Sequence, residues 1–482
     1  MVNYPPKPPA FSRYDRDRQE HSALRRRMIT GSWEEDLEQE LLSHLSADRR
    51  ESWGPSDLSS NALEQVTRQL SVLYTEPPSI TNTSDADLTP LVGRDGLLPR
   101  SGLYSLMQRV QQLTLALREC FLRIDIVDYV EGKKGVRFRP VTPDMVVASS
   151  SEDNPDDPLY YQESRLRYNK MKDKYEWIAD VFDIRDRKNP KFSLHRIDTN
   201  GKLGDDVTEI YLNMSALEGD NYPYRYSNGV PFLPLVLFHA ERTGQLFNAF
   251  DNSTLTYGSL TSAVLFSMYL HLIKNCCFGQ RYIAGLTLAG QSAVDQNDIA
   301  RRATVATDPS SILVFASDPD IQGQPLIGTF EPSEDPQKML ESIAKYEYRV
   351  ATTAGISSEV LRQSGDPRSG YALSISREGQ RESQKTYAQV FRGVEQSLLS
   401  KVACMANKFL GFSLPEEGYR VQYTQLKLSP EEMKAVRQDV IEKLQAGLIS
   451  PVDAIMQLNP DLDDIEARNE LKRIKLERAE FM

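Results

Sequence analysis

Basic charge, cysteine and paired histidine are all scarce in this 482-residue chain, which has 57 Lys and Arg against 68 Asp and Glu, four Cys and five His. The formal charge of -11 excludes a protein that grips nucleic acid over its whole surface, since such affinity depends on cations neutralising phosphates. Any DNA contact must be local. Cys120, Cys276, Cys277 and Cys404 form no CxxC and no disulfide framework, which fits a reducing compartment. The adjacent Cys276 and Cys277 read as buried thiols at a helix end rather than as a redox or metal feature. His21, His44, His195, His239 and His271 show no HxxxH or HExxH spacing, so no metal site is expected. The N-terminus, MVNYPPKPPAFSRYDRDR, has prolines and charges where a signal peptide needs an apolar core, and secretion is not expected. Catalytic motifs are missing as well. A phosphate-binding loop needs GxxxxGK[ST], but Gly323 to Gly328 is followed by Thr-Phe and lacks the lysine. There is no G-x-S-x-G elbow, EF-hand loop or dinucleotide fingerprint. Asp153, Asp156 and Asp157 sit with Asn and Pro in a turn-like stretch where solvation explains them. The expectation is no enzyme and no cofactor.

What is present is a soluble globular composition, 40% apolar and 26% charged, long enough for two or three domains. Residues 1 to about 120 read as helical and polar. Ser32 and Glu35 form a capping-box pattern before WEEDLEQELLSHL, and Asn61 precedes ALEQVTRQLSVLYTEPP, which Pro77 should stop. A third apolar series runs from Gly102 to Cys120. Arg25 to Arg27 read as a solvated helix face rather than a phosphate contact. From Phe121 the period changes to two, through FLRIDIVDYV, VRFRPVTP, KYEWIADVFDI and KFSLHRID, with a hairpin signal at Asn200-Gly201. An antiparallel sheet over about 121 to 240 follows. Its eight tyrosines between Leu159 and Tyr226 read as packing residues rather than base-stacking ones.

The run of 22 uncharged residues between Asp251 and Lys274 is long enough to span a bilayer. Its Ser, Thr, Asn, Tyr and His content instead predicts a buried helix. A mixed segment from Gln280 to Phe330 follows, with RYIAGLTL and SSILVFAS as strands around a short helix at Ala293 to Arg302, a small β-α-β unit. Ser333 then caps a helix whose Met339, Leu340, Ile343, Tyr346, Val350 and Ala354 recur every three or four residues up to Gly355. After the polar loop ISSEVLRQSGDPRSGYA, Tyr387, Val390, Phe391, Val394, Leu398, Val402, Met405 and Phe409 mark a much longer helix ended by Gly411. At about 1.5 Å per residue the two would be roughly 32 Å and 58 Å long. YRVQYTQLKLS should return as a strand to the sheet. Ser429-Pro430 and Ser450-Pro451-Val452-Asp453 then open C-terminal helices, with Gly447 ending the first. A last charged helix runs through DDIEARNELKRIKLERAEF.

Taken in order from about residue 60 to 482, these features resemble the portal proteins of tailed bacteriophages. SNGVPFLPLVLF is similar to the strand leading into the first stem helix, GISSEVLRQSGDPRSGYALS to the tunnel loop, and KLQAGLISPVDAIMQLNPDLDDIEARNELKRIKLE to the acid-rich crown end. The resemblance implies an α+β subunit. Its parts would be a helical wing part at 1–120, an antiparallel β wing at 121–250, a first stem helix at 251–279 and a clip at 280–332. A second stem helix at 333–354, a tunnel loop at 355–371, a tunnel helix at 372–411, a returning wing strand at 412–428 and a crown at 429–482 would follow. It further implies a homo-oligomeric ring of twelve at one capsid vertex of the virion, assembled in the host cytoplasm. Double-stranded DNA would pass through it during packaging and ejection. Major capsid protein, terminase and head-tail adaptor would be its partners, with no membrane involved. Residues 1–60 exceed the small portals and are unassigned.

Within that frame Arg362, Arg368, Arg377 and Arg381 are the expected DNA-facing residues, and Gly355, Gly365 and Gly370 would give the loop its freedom. The same arginines could instead pair with Glu359, Asp366, Glu378 and Glu382, as exposed ions commonly do. Two other classes remain open on sequence alone: another oligomeric virion component such as a head-tail adaptor, and an intracellular enzyme with an unrecognised site.

Overall fold

The computed structural model describes residues 13–45, 56–84, 86–128, 134–169, 172–197, 202–211, 222–277, 280–284, 286–288, 315–317, 326–330, 335–353, 370–424, 430–458 and 467–474. In chain order the elements begin with α1 (Arg13–Thr30), α2 (Glu34–Ser43), α3 (Ala62–Leu70), β1 (Ser79–Asn82), α4 (Thr89–Val92), α5 (Leu97–Ser101) and α6 (Leu103–Leu117). A strand-rich stretch follows: β2 (Glu119–Asp128), β3 (Lys134–Val141), β4 (Val146–Ser150), β5 (Pro158–Asn169), β6 (Lys174–Asp183), β7 (Lys191–Ile197), β8 (Leu203–Asp206), the short α7 (Thr208–Tyr211) and β9 (Leu235–His239). Then come α8 (Ser253–Cys277), β10 (Gln280–Ala284), β11 (Leu286–Leu288), β12 (Phe315–Ser317), β13 (Leu326–Phe330), α9 (Pro336–Thr353), α10 (Gly370–Leu410), β14 (Tyr419–Gln422), α11 (Pro430–Gln445) and α12 (Pro451–Leu458). The fold is α+β. Its two compact units are Met1–Arg68 with Gln112–Arg123 and Arg139–Gly355, and Gln69–Gln111 with Ile124–Phe138 and Ile356–Met482.

The first unit is built on the antiparallel meander β4-β5-β6-β7-β8. One face carries Val146, Ala148, Tyr161 and Phe182 into a core shared with Phe121, Leu235, Leu237, Tyr222 and Phe247. The tyrosines behave as packing groups here: Tyr161 and Tyr222 are fully buried, while Tyr168 and Tyr175 pair at 5.2 Å near the β5–β6 turn. Helix α1 docks through buried cations as well as through Met28 and Ile29. Arg18 donates to the Pro143 and Val146 carbonyls at 2.9 and 3.0 Å and lies 3.6 Å over the Phe247 ring. Arg25 donates to Thr256 Oγ1 at 2.8 Å and to the Asp251 carbonyl at 2.7 Å.

That placement corrects the reading of Arg25 to Arg27 as a solvated face. Arg25 is 1% exposed, Arg26 pairs with Asp144 at 2.8 Å and Arg27 with Asp36 at 2.6 Å. Helix α2 is also entered differently, with Trp33 at the N-cap and no side-chain cap bond, while Ser32 Oγ lies 3.0 Å from Thr30 Oγ1.

Helix α8 buries several of its hydroxyls, while Thr254, Tyr257 and Thr261 stay exposed. Ser259, Ser262 and Ser267 are buried, and Ser259 and Ser267 accept from the Leu63 and Asp57 amides at 2.7 and 3.1 Å. Ser262 donates to Glu347 on α9 at 2.7 Å, and Ser60 bonds the same oxygen. The residues that argued against a membrane span therefore seat the chain on either side of α8. No helix among the described residues is long and apolar enough to cross a membrane. Helix α9 is capped by Asp335, whose Oδ1 accepts from Gln337 N at 3.0 Å; Ser333 lies outside the described residues. Between α8 and α9 the described residues form two antiparallel pairs, β10–β13 and β11–β12, with β10 and β11 within RYIAGLTL and its flank and β12 within SSILVFAS. The expected helix at 293–302 lies outside the described residues.

In the second unit, β14 pairs antiparallel with β1 in a two-stranded sheet of its own, rather than returning to the large one. Helix α3 ends at Leu70, well before Pro77, because Gln111 takes over its broken backbone pattern. The Gln111 amide donates to Leu70 O at 3.3 Å and accepts from Leu73 N at 3.0 Å. Asn61 caps α3 as its position predicts, accepting from Glu64 N at 3.1 Å. The Gly447 stop and the Ser450–Asp453 start form as written, while the expected Ser429 cap lies outside the described residues. Gly447 takes φ +70°, and Gly447 N and Leu448 N bond the Leu444 and Lys443 carbonyls at 3.2 and 2.9 Å. Ser450 and Asp453 close a reciprocal capping box at 3.0 and 3.1 Å.

Candidate functional site

The residues expected to face DNA belong to the start of α10 and the segment before it. Arg362, Arg368, Gly355 and Gly365 lie outside the described residues. Gly370 is the first residue of α10, two residues before the expected helix start, and position 377 opens its third turn. Arg381, one turn further on, is half-buried. The four-residue spacing of 377 and 381 places both positions on one side of the helix.

What fixes α10 in its unit is a buried carboxylate. Glu395, 0% exposed, accepts from the hydroxyls of Tyr423 at 2.7 Å, Tyr74 at 2.9 Å and Tyr104 at 3.0 Å. Burial raises its pKa, and the three hydroxyls work against that rise. The same burial, reinforced by Glu395, pushes all three phenols well above their ordinary range. Phe391 and Tyr74 pack at 6.3 Å, and Tyr423 meets Tyr74 edge-on at 5.7 Å. Three turns earlier, Gln384 donates to the Thr424 carbonyl at 2.9 Å. The helix is thus held to β14 and its extension at two levels. From Phe391 to Ala406 the apolar stripe is buried, through Leu398, Leu399, Val402 and Met405. Gly411 follows at φ +72°.

Sequence periodicity found the stripe but not the carboxylate within it. Glu395 falls between Phe391 and Leu398 on the same face, and an acid inside an apolar stripe signals a polar partner. Its partners are up to 321 positions away, so the pairing itself has no local pattern.

The first unit carries two further titratable clusters. Asp180 and Glu163, both buried, are surrounded by Arg123, Arg139, Arg165 and Arg167, with Arg123 bridging them at 2.6 and 3.0 Å. Burial would raise Asp180, but Arg123, Arg167 and Arg165 outweigh it and hold it at about 2. Glu119 shows the reverse: burial pushes it up to about 7 against the Asn248 amide, Arg18, Arg25 and Arg118. Nearby, burial and then Arg25 lower His21 to about 4. Among the described residues no group of three His, Cys, Asp or Glu is arranged to hold a metal. These clusters bind strand to strand and helix to strand; the arginines around Asp180 and Glu163 are paired with carboxylates, while Arg18 and Arg25 donate chiefly to backbone carbonyls and a hydroxyl.

No known protein family matches the chain, and no curated protein is similar to it. A solved structure described as the neck of an empty GTA particle, computed with C6 symmetry, is similar to it at 10% sequence identity and a TM-score of 0.43. The likeness covers 82% of this chain and 88% of that one.

Proposed function

We propose that the chain is a portal subunit, one of a ring of twelve at a single capsid vertex of a tailed phage, through which DNA enters and leaves. The observation that carries the reading is the order of α8, two small antiparallel pairs, α9 packed on α8, and the 41-residue α10. In the portal reading these are first stem helix, clip, second stem helix and tunnel helix. Terminase and a tail adaptor dock on the assembled ring in turn, and the major capsid protein surrounds it. A head-to-tail ring buries a different face on each side of every subunit.

Charge supports a conduit. Twelve copies at -11 each carry a formal -132, so a duplex is repelled by most of the surface and any hold on it is local. Electron microscopy of the purified protein tests the reading directly. Rings with an axial hole are expected; compact monomers with none would overturn it.

A further inference from the structure

Beside Glu395, on the outer side of α10, the second unit has a polar groove of about 490 Å³ lined by Ser79, Thr81, Arg392, Gln396, Arg420 and Gln422. Its floor follows from strand alternation. In β14, Tyr419 and Val421 are buried while Arg420 and Gln422 are exposed, and across the register Thr81 stands opposite Arg420 and Ser79 opposite Gln422. The outward face of the β1–β14 ribbon therefore carries two hydroxyls, an amide and a guanidinium. Helix α10 supplies the wall through Arg392 and Gln396, one turn apart. Among the described residues neither Arg392 nor Arg420 has an ion-pair partner, whereas the arginines of the large sheet are paired. The nearest acid on the helix, Glu395, is turned to the tyrosines.

We propose that this groove is a binding site for the phosphodiester backbone of double-stranded DNA. Guanidinium, hydroxyl and amide donors without a carboxylate are the set that contacts phosphate oxygens. A protein segment would need buried aromatic or aliphatic anchors, and the only apolar lining residue, Val421, faces inward. The site rests on the portal reading for the origin of its DNA, while its donor chemistry is independent of it.

The test is binding of a fluorescent 20-base-pair duplex of arbitrary sequence to the full chain, read by anisotropy at several salt concentrations. R392Q/R420Q should weaken binding about tenfold at low salt and flatten the slope of log K against log salt by about two, one per lost phosphate contact. R392K/R420K should keep most of the slope, and R100Q, an exposed arginine outside the groove, should change neither. An unchanged slope in R392Q/R420Q overturns the site. So does loss of ring assembly with unchanged duplex affinity, which would assign the groove to an acidic surface of a neighbouring copy. Micrographs of the same samples separate the two claims. Rings with an unaltered slope sink the groove alone, and monomers whose binding still depends on Arg392 and Arg420 sink the ring alone.

Discussion

A methyl group built on Gly258 would stand 2.6 Å from Cγ2 and 2.9 Å from Cγ1 of Val350, so α8 and α9 approach each other where a side chain is missing. Val350 is 3% exposed and β-branched, and its stiff χ1 leaves it little room to yield. Gly258→Ala should gain roughly 0.5–1 kcal/mol of helix propensity but lose about 1–3 kcal/mol to overpacking, a net destabilisation. In a Val350→Ala background the clash is gone and the same change should stabilise. Denaturant midpoints of the four proteins check this, and a stabilising Gly258→Ala in the native background would contradict the close approach.

The Glu395 cluster sets a different kind of dependence. Glu395→Ala leaves three buried hydroxyls without an acceptor and should cost at least about 3 kcal/mol, whereas Tyr423→Phe removes one of three donors and should cost about 1–2 kcal/mol. Because burial raises the Glu395 pKa in the folded chain, its contribution to stability is greatest below the ordinary carboxyl range and is lost as pH rises through the raised value. Tyr423→Phe should push that value higher still. Unfolding midpoints across acid and neutral pH measure both effects; a Tyr423→Phe protein as stable as the parent at neutral pH would count against them.

Local chemistry made some of this legible and distance hid the rest. The Gly447 stop and the Ser450–Asp453 box depend on residues within a turn of each other, and the apolar stripe of α10 repeats along one helix. Arg25 looked like surface because its partners, Ala116, Asp251 and Thr256, are brought to it only by folding. Strand β5 escaped period-two reading because Tyr160 and Tyr161 are both buried, one in each of two hydrophobic clusters. Strand β1, in the second unit, is four residues long and finds its partner beyond residue 400. Of the four expected channel arginines, the two on α10 are placed by the stripe that follows them.

Glu119 and Asp180 should respond to pH with opposite signs. Glu119 is raised to about 7, so its contribution is present below the unfolded carboxyl value of about 4.3 and lost as pH climbs to 7. Relative to the parent, Glu119→Gln should therefore gain stability across that interval, on the order of 4 kcal/mol at most, and level off above it. Asp180 is held at about 2, so its contribution is present above the unfolded value and lost as pH falls toward 2. Asp180→Asn should cost about 3–5 kcal/mol at neutral pH, since it strands buried arginines, and the difference should shrink in acid. Parallel pH series for the two variants that showed the same sign would refute this account.

The proposal that Arg362, Arg368, Arg377 and Arg381 face the duplex is tested by passage of DNA rather than by stability. If they face the duplex, Arg362→Ala/Arg368→Ala rings should assemble normally yet package less DNA or retain it poorly, because each lost cation removes a weak, salt-sensitive hold on phosphate. If they pair with Glu359, Asp366, Glu378 and Glu382 instead, exposed pairs worth about 0–1 kcal/mol each are lost and packaging is unchanged. Replacing the four acids with their amides separates the two cases. Freed arginines should slow DNA transit in the first case, and in the second the acid and arginine variants should have the same small effect on ring stability. Complementation of a portal-deficient phage, scored by DNA per particle at two salt concentrations, measures the difference, and normal packaging by the arginine variant removes these residues from the channel wall.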